Sequence, residues 1–84
     1  MSQSGIESRI ADLIVAVLRD RDESLGPDDL NRPVAELDLD SLDLVELHQH
    51  LERALRVRGD LNDTARFAYL SDYTAYFSKL ASQG

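Results

Sequence analysis

The sequence predicts an all-α fold: a small four-helix bundle of three longer helices and one short helix, with a long loop between the first and second helices. Three observations predict it. Apolar residues recur at three- and four-residue spacing in separate stretches, and no stretch alternates with the two-residue period of a strand. Pro27 and Pro33 both fall in a segment, Asp20 to Leu39, that lacks continuous helical spacing. The chain has 84 residues, 43% of them hydrophobic and 30% charged, which suits one small domain over 1–84 rather than a disordered acidic tail.

The first helix is announced by Ser4 and Glu7, a hydroxyl and a carboxylate at the spacing of a capping box. Ile6, Ile10, Leu13, Ile14, Val17 and Leu18 then make one apolar face of about four turns. Gly26-Pro27 ends any continuation. In the loop, Leu25, Leu30, Val34 and Leu37 are spaced to tack the chain onto a helical core, with a short helical turn near Pro27-Asp28-Asp29-Leu30. Loops this long without their own structure are uncommon in compact domains and are usually functional.

A second helix starts at Asp40 or Ser41, either of which can cap it. Its buried stripe is Leu44, Leu47, Leu51, Ala54 and Leu55, and it ends before Gly59. Asp43 and Glu46 lie near its positive end and Arg53, Arg56 and Arg58 near its negative end, so charge order supports the helix at both ends. Leu61 opens a short segment of one or two turns through Phe67, capped by Asn62 or Asp63. Ser71 caps the last helix, whose apolar positions are Tyr73, Tyr76, Phe77 and Leu80. All five aromatics fall between Phe67 and Phe77, the pattern of core packing in the last two helices.

Charge narrows the function. The net charge is −7 and the pI about 4.5. Between Asp20 and Glu46 ten acidic residues face only Arg21 and Arg32, a balance of −8, while the rest of the chain sums to +1. Nucleic acid is disfavoured, because phosphate contacts need clustered Lys and Arg. Membrane insertion is not expected, since the longest apolar run, Leu13 to Leu18, is far short of a span. Glu7, Arg9 and Asp12 interrupt any signal-peptide core, so a cytoplasmic location is expected. There is no cysteine.

Catalytic and metal readings find little support. His48 and His50 are two apart on a helix and face different directions, so they read as solvent-exposed or rim histidines, and no metal site is expected. Asp38, Asp40, Asp43 and Glu46 fail the calcium-loop pattern, which needs glycine at the sixth position and glutamate at the twelfth; here these are Asp43 and Gln49. An enzyme is not expected. A small acidic binding domain or carrier is.

The informative stretch is Leu37-Asp38-Leu39-Asp40-Ser41-Leu42-Asp43-Leu44-Val45-Glu46-Leu47, where a serine flanked by carboxylates opens an amphipathic helix after a long loop. It resembles the modification site of acyl carrier proteins, whose Asp-Ser-Leu motif bears 4′-phosphopantetheine on the serine. The resemblance extends from Ile6 to Leu80. It implies that Ser41 is the attachment residue, loaded by a phosphopantetheinyl transferase, and that acyl groups ride as thioesters on the arm. Serine at a helix start suits this role, because a phosphodiester there meets backbone N–H groups and the positive dipole end. On the tripeptide alone, Ser41 would be an ordinary cap.

In that family partner enzymes grip the acidic face of the second helix through basic patches. The matching positions are Asp40, Asp43, Glu46 and Glu52, with Leu42 and Val45 as apolar contacts between them. Acyl-transferring, ketosynthase-type or ligase enzymes are the implied partners, and the carrier is expected to be a monomer. Tyr73, Tyr76 or Phe77 would alternatively crowd a cavity that shelters the acyl chain. Departures from the family pattern are Asp38, where glycine is usual, Gln49 in place of an apolar residue, and Arg53-Ala54-Leu55-Arg56 in place of a Glu-rich stretch. The resemblance implies fatty-acid, polyketide or related specialised lipid biosynthesis, and the departures point to a carrier dedicated to one pathway rather than general fatty-acid synthesis, handled poorly by generic fatty-acid enzymes. Two rivals stand beside this reading: an aminoacyl or peptidyl carrier of a nonribosomal-peptide-type pathway, and a cofactor-free acidic helical adaptor.

Overall fold

The computed structural model describes residues 2–83, with side chains over 5–82. Four α-helices run in the order α1 (Ser2–Arg21), α2 (Ser41–Leu55), α3 (Leu61–Thr64) and α4 (Ser71–Gln83). Two 3₁₀ turns, Pro27–Asn31 and Val34–Glu36, shape the loop before α2. Among the described residues there is no strand, only an isolated antiparallel bridge between Pro33 and Tyr69. The predicted all-α architecture of three long helices and one short helix is therefore present.

α1 packs chiefly on α4 and also meets α2 and the first 3₁₀ turn. Ile10, Ile14 and Leu18, spaced by four, are its fully covered residues, joined by Leu47 and Leu51 of α2 and by Leu70, Tyr73 and Phe77 at the start of and within α4. Each fully buried aliphatic side chain of this kind contributes about 1.5–3 kcal/mol of transfer free energy. The helix begins before Ser4, so the expected capping box does not mark its start; the Ser4 side chain lies outside the described side chains.

The long loop is part of the core. Leu25, Leu30, Val34 and Leu37 are all buried, as their spacing predicts. Pro27 starts the first 3₁₀ turn, and Asp29 completes it by accepting the Gly26 N–H at 2.8 Å. That bond, followed by the Arg32 contact, holds the Asp29 carboxyl below its ordinary pKa of 3.8. The Val34 N–H donates to the Ala68 carbonyl at 2.8 Å, tying the loop to the chain entering α4.

Two expectations are corrected at the far end of α2. The cap of α3 is Asp60, whose carboxylate accepts from the Asn62 N–H at 2.9 Å, rather than Asn62 or Asp63. The helix itself is one turn long and stops at Thr64. His48 is not a surface histidine: it is 3% exposed and continues the stripe of Leu44, Leu47 and Leu51. Its Nδ1 pairs with Thr64 Oγ1 at 2.8 Å, and its Nε2 faces the Gly59 carbonyl at 3.3 Å and the Glu52 carboxylate at 3.2 Å. Its ring packs edge-on against Phe77, with centroids 5.3 Å apart. A buried imidazole is tolerable because polar partners surround it.

Gly59 makes this junction possible. A Cβ there would stand 2.9 Å from Tyr76 Cε2, 3.2 Å from His48 and 3.3 Å from Leu80. The neighbouring Tyr76 hydroxyl accepts the Asp60 N–H at 2.8 Å and donates to Asp63 at 3.1 Å. Tyr73 is buried beneath, which pushes its phenol pKa upward. Tyr73 and Phe77 are therefore core residues with Phe67 and Tyr76 packed partly buried against them, whereas Tyr69, expected in the core with the other aromatics, is 42% exposed.

Candidate functional site

Ser41 is the first residue of α2, and its side chain is exposed. Two carboxylates frame it. The Asp40 carboxylate accepts the Asp43 N–H at 2.9 Å, while the Asp43 carboxylate accepts the Asp40 N–H at 3.0 Å. This reciprocal capping box frees Ser41 from capping duty, and its hydroxyl makes no hydrogen bond among the described residues. The choice left open between Asp40 and Ser41 as cap is thus decided for Asp40.

Backbone geometry just upstream explains the unusual Asp38. It adopts φ 56, in the left-handed region that favours glycine. Aspartate tolerates this region better than most residues, because its short side chain interacts locally with the backbone. The turn at Asp38 delivers Asp40 in the extended conformation (φ −96, ψ 179) from which it caps α2. Glycine is what the family resemblance leads one to expect there, and the conformation shows why.

Among the described residues, the acidic surface around Ser41 holds a cation of its own. Arg21, the last residue of α1, reaches across to Asp43 with its guanidinium 3.0 Å from the carboxylate. The Asp43 N–H, and to a smaller extent the Arg21 charge, hold Asp40 below its ordinary pKa of 3.8. Asp40 is therefore ionised at neutral pH, and the Arg21 guanidinium offsets part of the acidic charge beside Ser41. Arg32, the other cation of this segment, is engaged with Asp29 at 2.9 Å and Glu36 at 3.8 Å.

The expected partner-facing residues separate into two groups. Asp40, Leu42 and Glu46 are exposed, Leu42 at 63%, and Val45 is half-buried beside them. Asp43 shares this face, although Arg21 and the capping box occupy its carboxylate. Glu52 has a different setting: its carboxylate accepts the Gly59 N–H at 2.9 Å, lies beside His48 and secures the turn after α2.

A cleft of about 410 Å³ opens beside the site, between α1 and α2. Val17, Leu18, Leu39, Leu44 and Leu47 supply its apolar lining, with Asp20, Arg21, Asp43 and Glu46 also lining it. None of the aromatics lines this cleft, so Tyr73, Tyr76 and Phe77 do not crowd it. Sequence reasoning missed Arg21 as a site residue. The signal was present: Arg21 is one of only two basic residues in the acidic segment, at the end of the helix that precedes the loop.

The arrangement fits a residue that accepts a bulky phosphodiester: a free hydroxyl on the first turn of a 15-residue helix, clear of the core. It lacks a base hydrogen-bonded to that hydroxyl among the described residues, as nucleophilic catalysis by serine would need. No helix among these residues is long and apolar enough to cross a membrane.

Comparison with curated proteins finds no match, and comparison with solved structures finds none either. The model of the family described as "phosphopantetheine attachment site" matches residues 8–76, most of the chain and the whole of the region just described. Proteins of this kind are modified by phosphopantetheinyl transferases and pass their cargo among pathway enzymes without performing catalysis themselves. On that match the chain belongs to the phosphopantetheine-binding carrier protein family, non-catalytic domains that bear covalent 4′-phosphopantetheine.

Proposed function

We propose that Ser41 carries the 4′-phosphopantetheine and that the protein is an acyl carrier, holding acyl intermediates for fatty-acid, polyketide or related lipid biosynthesis. The observation that carries this reading is the exposed Ser41 of an Asp-Ser-Leu run, at the start of α2 and inside the matched region. The prosthetic group supplies a thiol, which this cysteine-free chain lacks, for thioester attachment. The chain's own residues place that arm. The α2 dipole and first-turn N–H groups favour the phosphodiester, and the reciprocal capping of Asp40 and Asp43 lowers the repulsion it would meet.

Asp40, Leu42, Asp43, Val45 and Glu46 form the docking face in this reading. Acyl-transferring, ketosynthase-type or ligase enzymes with basic patches are its partners. Complementary charge of this kind mainly speeds encounter and sets orientation. The association rate with such an enzyme is therefore expected to fall steeply as salt rises from low to physiological strength, and to fall further in Glu46→Lys. Stopped-flow binding checks both. Glu52 is left out of this face because its carboxylate is held by the Gly59 N–H.

Intact-mass measurement tests attachment. Incubation with coenzyme A and a broad phosphopantetheinyl transferase should add one phosphopantetheine, and Ser41→Ala should abolish the gain. An unchanged mass with several transferases, or loading that survives Ser41→Ala, overturns the assignment. Offering the loaded protein to acyl-loading enzymes and to amino-acid-activating enzymes then tests the cargo; selective charging with amino acids overturns the acyl reading.

A further inference from the structure

We propose that Arg21 is a positioning residue for the phosphopantetheine arm: it exchanges Asp43 for the arm's phosphate and so holds the base of the arm at the mouth of the α1–α2 cleft. This rests on attachment at Ser41. Three features of the structure lead to it. Arg21 is the cation beside this turn, because Arg32 is held by Asp29 and Glu36. Its side chain is 52% exposed and its guanidinium meets Asp43 through Nη1, leaving further donors of its planar fork for a phosphate. Asp43 has a second partner, the Asp40 N–H at 3.0 Å, so releasing Arg21 does not strand its carboxylate.

Geometry then sets the arm's direction. Arg21 and Asp43 both line the cleft, with the apolar side chains of Leu39 and Leu44 also in its wall. Asp40 and Asp43 bracket Ser41 on the same turn, so a phosphodiester on Ser41 adds its charge within the field that Arg21 already offsets. Guanidinium pairs with phosphate in a charge-assisted, two-point geometry that a single contact to Asp43 does not exploit. An arm held at its phosphate starts out along the cleft instead of straight into solvent.

The test uses isotope-labelled protein, loaded with coenzyme A and a phosphopantetheinyl transferase and checked by intact mass. In the loaded protein the Arg21 Nε–Hε resonance should shift from its position in the unloaded protein. Nuclear Overhauser contacts should appear between the arm's geminal methyl groups and the Leu39 and Leu44 side chains. Arg21→Gln, taken to the same loaded mass, should lose these contacts, while Arg21→Lys should retain part of them. Amide spectra of the variants establish that they fold. A protein that gains the expected mass but shows an unmoved Arg21 and identical contacts, or none, in wild type and Arg21→Gln overturns the proposal while leaving attachment at Ser41 intact. Failure to gain mass overturns both.

Discussion

The two ends of α2 use similar chemistry to opposite effect. At the first end Asp43 meets Arg21, with the cation 52% exposed; at the other Glu52 meets His48, with the imidazole only 3% exposed. Near Ser41 the charged groups remain in contact with water and can change partners. Near Gly59 the His48 ring packs against Phe77, and the Tyr76 and Leu80 side chains close in on the same glycine. Burial, more than residue type, separates a working surface from a structural joint. An exposed ion pair contributes about 0–1 kcal/mol, whereas stripping partners from a buried polar group costs about 1–3 kcal/mol.

Replacing the buried imidazole should break this comparison most severely. His48→Ala is expected to lower stability by about 3 kcal/mol, combining a packing void with lost partners for Thr64 and Gly59. Urea denaturation measures the loss. Loading of Ser41 in the folded fraction should be unaffected, and a large loading defect would show that the two ends are coupled.

A smaller disturbance at the same joint comes from Gly59→Ala. The added methyl would stand 2.9 Å from the Tyr76 ring, and the expected cost is about 1–3 kcal/mol. A change in denaturation midpoint at constant slope would identify it as native-state crowding. A neutral result would mean that the joint is softer than its close contacts indicate.

At the Ser41 end, Asp38 offers a milder backbone test. Asp38→Val places a β-branched residue at φ 56 and should cost about 1–2 kcal/mol. Asp38→Gly should be tolerated or slightly stabilising. Thermal melts of the pair distinguish backbone strain from loss of charge, because both variants remove the carboxylate.

The smallest effect sharpens the comparison through pH. Asp22, Asp29 and Asp40 are all held below the ordinary 3.8, chiefly by hydrogen bonds from Ser24, from the Gly26 N–H and from the Asp43 N–H respectively. Their folded forms bind protons more weakly than their unfolded forms. The stability they add is therefore fully present above about pH 4 and lost as pH falls through the depressed folded values. Thermal melts of wild type and Asp40→Ala should differ by a constant amount near neutrality and converge in acid. A gap that widens in acid would contradict the assigned sign.

Much of the fold was legible because its signals are local. The stripe Ile10, Ile14 and Leu18, the start of α2 near Ser41 and the buried leucines of the loop all follow from spacing and turn chemistry, although Asp40 and Ser41 are both eligible caps. His48 was misread because residue type was weighed above register. It lies four residues after Leu44 and three before Leu51, on the buried face of α2. The α3 cap was missed by two or three residues because Asp60, Asn62 and Asp63 are all capable caps, and only the backbone path selects among them.

By itself the sequence determined the helices, the separation of charge along the chain and the placement of a serine among acids at the start of α2. These depend on contacts within one or two helical turns. Tertiary structure alone decided that His48 is covered, that Glu52 turns toward Gly59 and that Arg21 reaches Asp43. Such outcomes depend on surfaces brought together from distant parts of the chain, as Thr64 meets His48 across 16 residues. Helical periodicity reports which side chains share a face; it carries no information about the group that comes to cover or pair with them.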